Sequence, residues 1–205
     1  MRTLTEDEFK SEAEPALRRV FASDTPFDQQ PFASNVPVRR VVFGLEYDLK
    51  YIVRSPLIDA VVSAASNIGD KGCYFTVLWR MNKEANGEFN HWYIPFSEIS
   101  VYKRCDGKVF NFAFNSENVL YSPQGKWGIM TSHEYHGLLG GSQDFMDEVR
   151  RQIPDIDEQV NDFLKLWQHY KIHSPGAETN WIAGLLTQIY GHETAKEMLL
   201  EVGLP

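Results

Sequence analysis

The stretch from Gly125 to Phe145, Gly-Lys-Trp-Gly-Ile-Met-Thr-Ser-His-Glu-Tyr-His-Gly-Leu-Leu-Gly-Gly-Ser-Gln-Asp-Phe, joins a β-rich middle to a helical final third. Residues Lys126–Thr131 alternate, with Trp127 and Ile129 facing inward, which predicts a half-buried strand. Ser122-Pro123-Gln124-Gly125 before it is turn chemistry. His136–Leu139 is a short apolar run that predicts a second strand ending at Gly140-Gly141. Ser142 then has the character of a helix N-cap, with Asp144, Asp147 and Glu148 suited to the positive end of a helix. The paired glycines predict a close helix-to-sheet approach, and their open amides offer a possible anion site at Gly140–Ser142.

Working back from that junction, short strands are expected at Cys73–Arg80, His91–Phe96, Ser100–Arg104, Lys108–Phe114 and Asn118–Tyr121. Turn signals separate them and no room is left for crossover helices, so the strands predict an antiparallel meander. Val38–Tyr47 is a further strand. Ser55-Pro56 opens a helix whose buried stripe is Leu57, Ile58, Val61, Val62 and Ala65. At the N-terminal side, residues 3–22 read as a helix with Thr5 and Glu8 at capping-box spacing and Pro15 as a kink. A proline-punctuated linker, residues 23–37, follows, and Phe27 and Phe32 suggest that it packs on the domain.

Working forward, helices are expected over Ser142–Ile153, Asp155–Tyr170, Glu178–Tyr190 and Glu193–Val202. The second carries Ile156, Val160, Phe163, Leu164, Trp167 and Tyr170 on one stripe. The expected fold is one α+β domain over residues 1–205, with an antiparallel sheet of about five or six strands. Residues 1–37 supply the N-terminal helix and linker, 38–141 a sheet-rich core with one helix, and 142–205 the C-terminal helices.

Composition narrows the function. Of 205 residues, 43% are hydrophobic and 13% aromatic, ample for a core. Lys and Arg total 20 against 28 Asp and Glu, a formal charge of −8, which does not suit a binder of nucleic-acid phosphates. No apolar run reaches the length of a membrane span, and the N-terminal residues lack the apolar core of a secretory signal. The two cysteines, Cys73 and Cys105, form no CxxC pair, and reduced thiols in a cytoplasmic protein are expected.

His133, Glu134 and His136 place two imidazoles and a carboxylate within four residues, a set suited to acid–base chemistry. Their spacing does not match the helical zinc-protease motif, and an extended backbone would point the two histidines to opposite faces. His169 and His173 have the spacing that puts two imidazoles on one helical face, a candidate half of a metal site. Neither a phosphate-binding glycine motif nor a nucleophile elbow is present, and no cofactor is expected.

The remaining signal is acidic: Asp144, Asp147, Glu148, Asp155, Asp157 and Glu158, with Trp92 and Trp127 as aromatic anchors. Such a face suits a basic protein partner. The expectation is therefore a cytoplasmic protein-binding domain of inhibitor, immunity or adaptor type. The alternatives are a small hydrolase-like enzyme centred on His133, Glu134 and His136, and a structural or assembly subunit.

Overall fold

A computed structural model of the chain describes residues 1–43, 53, 56–80, 90–103, 116–174 and 176–204. The Gly125–Phe145 junction forms as a hairpin. Strand β6 (Trp127–Thr131) pairs antiparallel with β7 (His136–Gly141), and Ser142 caps the following helix by accepting from the Phe145 N–H. Among the described residues the hairpin lies inside a seven-stranded antiparallel sheet, larger than the five or six strands expected. Its spatial order is β1 (Arg2–Leu4), β4 (His91–Pro95), β3 (Gly72–Arg80), β5 (Ser116–Tyr121), β6, β7 and β2 (Val38–Phe43). β5, β6 and β7 run as the expected meander. β2, far earlier in sequence, closes one edge by pairing with β7.

Helices cover both faces. On one side lie α2 (Leu57–Asn67), α3 (Ile99–Lys103) and α4 (Gln143–Gln152). On the other lie α1 (residues 6–18), α5 (Gln159–His173), α6 (Asn180–Tyr190) and α7 (His192–Val202). Neighbouring strand residues point to opposite faces, so the apolar pairs divide between two cores. Val42, Leu120, Ile129 and Leu139 meet α2 and α4. Val41, Val119, Met130 and Leu138 meet α1, α5 and α6. All five residues of β6 are buried, so this strand is covered on both faces and not half-buried as its alternation predicts. Each such Leu or Ile contributes roughly 1.5–3 kcal/mol by leaving water, and the paired positions double that yield per strand.

Gly141 explains how α4 comes so close. A Cβ there would lie 2.8 Å from the Phe145 ring and 2.9 Å from the Lys126 carbonyl oxygen. The same packing removes the expected anion site. Gly140 and Gly141 are buried in β7, and the Ser142 N–H donates to Lys126 O at 2.9 Å.

Two further expectations change. Residues 100–103 are helical, not a strand. Pro95 ends the β4 ladder, a 3-10 turn at Phe96–Glu98 follows, and buried Tyr102 pins the helix against Phe75, 5.5 Å between ring centroids. Residues Arg2–Leu4 form an edge strand, and α1 begins after Thr5 with the predicted capping box. A π-helical segment, Phe9–Ala13, precedes Pro15. Widening the turn there accommodates a residue that lacks an N–H and crowds the preceding carbonyl. The expected strand Lys108–Phe114, together with Ser55 and Cys105, lies outside the described residues. No helix among those described is long and apolar enough to cross a membrane.

The linker before β2 is tied down, as its phenylalanines suggest. Phe32 is buried and stacks on Phe21. Arg39 donates to the carbonyls of Ala33, Ser34, Val36 and Gln188, and the Gln188 side chain brackets the Phe32 backbone. Phe27 is thereby held over the C-terminal helices.

Candidate functional site

The β6–β7 hairpin turn, the linker and the C-terminal helices meet at a cavity of about 480 Å³. Its size falls in the range of small-ligand pockets. Three ring systems frame it: Phe27 from the linker, Trp167 from α5 and Trp181 from α6. Their planes are close to mutually perpendicular. Phe27 and Trp181 are 85° apart, Trp167 and Trp181 87°, and Phe27 and Trp167 76°, with centroids 5.1, 5.2 and 6.4 Å apart respectively. Tyr170 adds a fourth ring at 89° to Trp167. The Trp181 indole N–H is fixed by the Glu178 carbonyl at 2.9 Å.

Polar groups sit on the hairpin side. Tyr170 donates to Glu134 Oε2 at 3.0 Å, and Glu134 Oε1 lies 3.5 Å from His133 Nε2. His133 Nδ1 is 2.8 Å from Oε1 of Glu117, a nearly buried carboxylate on β5. That carboxylate accepts, so Nδ1 carries a proton. Burial, and then the neighbouring Glu134 carboxylate, push the Tyr170 phenol up, which keeps it a donor. Glu178 is exposed at the mouth, and among the described residues that line the cavity there is neither Lys nor Arg. The cavity is aromatic and acidic together.

His136 does not join this group. It is fully buried, with Nε2 3.3 Å from Pro26 O and Nδ1 2.8 Å from Ser132 Oγ. A carbonyl can only accept, so Nε2 carries the proton and Ser132 donates to Nδ1. Burial holds the ring neutral, with its pKa lowered to about 4. His136 is a structural tether. It ties the hairpin to the linker, stacks on Trp181 at 24°, and so braces the cavity from behind. The trio His133, Glu134 and His136 therefore divides: two residues line the cavity and one supports it.

The other expected residues are dispersed. Trp127 is buried against Phe145, and its indole donates to Asp70 at 2.8 Å. Trp92 is buried against Phe75. Neither stands on the surface to anchor a partner. Half of the acidic run is matched by its own cations. Asp147 pairs with Arg150, Glu148 with Arg151, and Asp157 with both Arg150 and Arg40. Asp144, Asp155 and Glu158 are exposed. His169 and His173 stand side by side on α5 with ring centroids 4.4 Å apart. Among the described residues no group of three or more His, Cys, Asp or Glu side chains is placed to hold a metal ion. Cys73 is buried, and burial pushes its thiol pKa up, which disfavours the reactive thiolate.

No protein-family model, no curated protein and no solved structure matches the chain.

Proposed function

We propose that the chain is a protein-binding domain, of inhibitor or adaptor type and acting in the cytoplasm, that receives a basic segment of its partner at this cavity. The observation that carries the reading is the coincidence of three nearly perpendicular aromatic rings with the carboxylates of Glu134 and Glu178 in one concavity. Ring faces and carboxylates both favour positive charge. The chain's charge of −8 attracts a basic partner at longer range. The acidic run on α4 and the turn after it, half of it paired with Arg40, Arg150 and Arg151, acts as a supporting field in this reading and not as the contact itself.

The test is a panel of labelled peptides, lysine- and arginine-rich against glutamate-rich, followed by fluorescence anisotropy at two salt concentrations. Binding restricted to basic peptides, weakened by salt and by Glu178→Gln, supports the proposal. Equal binding of acidic and basic peptides counts against it.

A second reading rests on one observation: Glu117 holds His133 at the edge of the cavity, the arrangement in which a carboxylate orients a general acid–base. A hydrolase built on that pair would lose turnover in His133→Gln while retaining ligand binding.

A further inference from the structure

Resting on the reading above, we infer that the group seated in the cavity is an alkylated ammonium carried on a lysine side chain of the partner. Three features select this chemistry within the basic class.

The first is shape. Phe27, Trp167 and Trp181 have planes 76–87° apart. A flat guanidinium can lie parallel to only one of three mutually perpendicular rings. A rounded, methyl-covered ammonium can touch all of them. The centroids are at most 6.4 Å from one another, so a cation seated in the cavity lies close to the ring cluster as a whole, and ring faces attract positive charge.

The second is solvation. A bare ammonium is a compact and strongly hydrated charge with three donors to satisfy. Phe27, Trp167 and Trp181 offer no side-chain acceptor, so a bare ammonium would have to satisfy all its donors on Glu134, Ser174 and Glu178. The Glu134 Oε2 already receives the Tyr170 hydroxyl, and the Glu178 carbonyl receives the Trp181 indole. Methylation removes the donors and lowers the cost of leaving water, while the charge and its attraction to Glu134 and Glu178 remain.

The third is reach. A volume of about 480 Å³ exceeds what an ammonium head fills, and leaves room for the methylene stem of a side chain to lie along the aromatic wall. The exposed position of Glu178 leaves the mouth open to a chain arriving from solvent.

The experiment is a titration of the full chain, read by tryptophan fluorescence and calorimetry, with four Nα-acetyl amino-acid amides as probes. They are trimethyllysine, unmodified lysine, arginine, and the neutral isostere with carbon in place of the quaternary nitrogen. Free tetramethylammonium is the fifth. Trimethyllysine is expected to bind about tenfold more tightly than the neutral isostere and more tightly than lysine or arginine. Its affinity should fall several-fold in Glu178→Gln and be lost in Trp181→Ala. Glu178→Gln alters one exposed side chain, so its effect on binding stands even where Trp181→Ala fails to fold. Equal binding of the neutral isostere, or tightest binding of arginine or lysine, overturns the inference. Tetramethylammonium binding more tightly than trimethyllysine also overturns it, because the site would then serve a free small cation. Basic peptides that still bind at the cavity in those cases leave the broader reading intact, whereas no basic peptide binding at all removes both.

Discussion

The indole planes of Trp167 and Trp181 stand 87° apart with their centroids separated by 5.2 Å. One belongs to α5 and the other to α6, so the corner they make depends on how those helices dock. Trp167 keeps a buried indole N–H that has no hydrogen-bond partner among the described residues. An unsatisfied buried donor costs about 1–3 kcal/mol. Trp167→Phe removes that orphan and retains an aromatic wall. Urea denaturation should therefore show little or no loss of stability, while affinity for a basic peptide falls several-fold because phenylalanine attracts a cation less strongly than tryptophan. Loss of stability and affinity in parallel would mean that Trp167 is only a packing residue.

His136 gives the fold a directional pH dependence. Its folded pKa is about 4 against an ordinary value of 6.5, because burial opposes the charged ring. The unfolded chain therefore binds the extra proton first. Stability from this residue is complete above the unfolded value, declines as pH falls from about 6.5 toward 4, and levels off below. The span corresponds to a contribution on the order of 3 kcal/mol. His91, also shifted downward by burial, acts in the same direction. Denaturation midpoints between pH 7 and pH 4.5 should fall steadily, and His136→Gln should flatten part of that slope while lowering stability at pH 7.

Gly141→Ala tests the close contact of sheet and helix. The added methyl would meet the Phe145 ring at 2.8 Å and the Lys126 carbonyl oxygen and the Trp127 Cβ, each at 2.9 Å, and the last two cannot swing away freely. Overpacking of this kind costs about 1–3 kcal/mol. Gly69 serves as a comparison of a different sort: nothing lies within 4 Å of a Cβ built there, but its φ of +96° penalises any side chain. The Gly141 variant should lower the midpoint through crowding, and the compensating Phe145→Leu should recover part of the loss. No recovery would place the strain at the Lys126 and Trp127 contacts and not at the ring.

Asp70 is the acceptor for three side chains, Ser122 at 2.7 Å, Trp127 at 2.8 Å and Gln124 at 2.9 Å. Asp70→Ala leaves the buried Ser122 and Trp127 donors without a partner, and a loss of about 2–4 kcal/mol is expected. Asp70→Asn, which keeps an acceptor oxygen, should lose less. Peptide affinity measured below the unfolding transition should be unchanged in both, because Trp127 is part of the core and lies apart from the cavity.

Much of this architecture could be read from local signals. Thr5 with Glu8, and Ser142 before Phe145, are caps whose chemistry acts within one turn of helix, and both form as read. The β5–β6–β7 meander follows from turns placed between apolar runs. What failed depended on distant partners. β1 is three residues long, too short to show a period, and exists because β4 offers it an edge. The α3 segment contains Ile99, Val101 and Tyr102, a strand-like triplet, yet it curls because Pro95 ends the ladder. The site was legible only in part. His133 and Glu134 stood out as ionisable neighbours in sequence. Phe27, Trp167, Tyr170 and Trp181 come from three separate segments and look like ordinary apolar positions in each. Only tertiary packing shows that Tyr170, Trp181 and Phe27 stop short of full burial and face a shared concavity. Trp92 and Trp127 misled in the reverse direction, since a tryptophan in a strand carries no local mark of which face will be covered.

The most direct measurement is the indole N–H region of a nitrogen–proton correlation spectrum, recorded while an unlabelled basic peptide is added to the labelled chain. Binding at the cavity predicts that the Trp167 and Trp181 indole signals move together and saturate at one affinity, with Trp92 and Trp127 unmoved. Shifts confined to backbone amides of residues 144–158, with both cavity indoles stationary, would contradict the account and return the contact to the acidic helix.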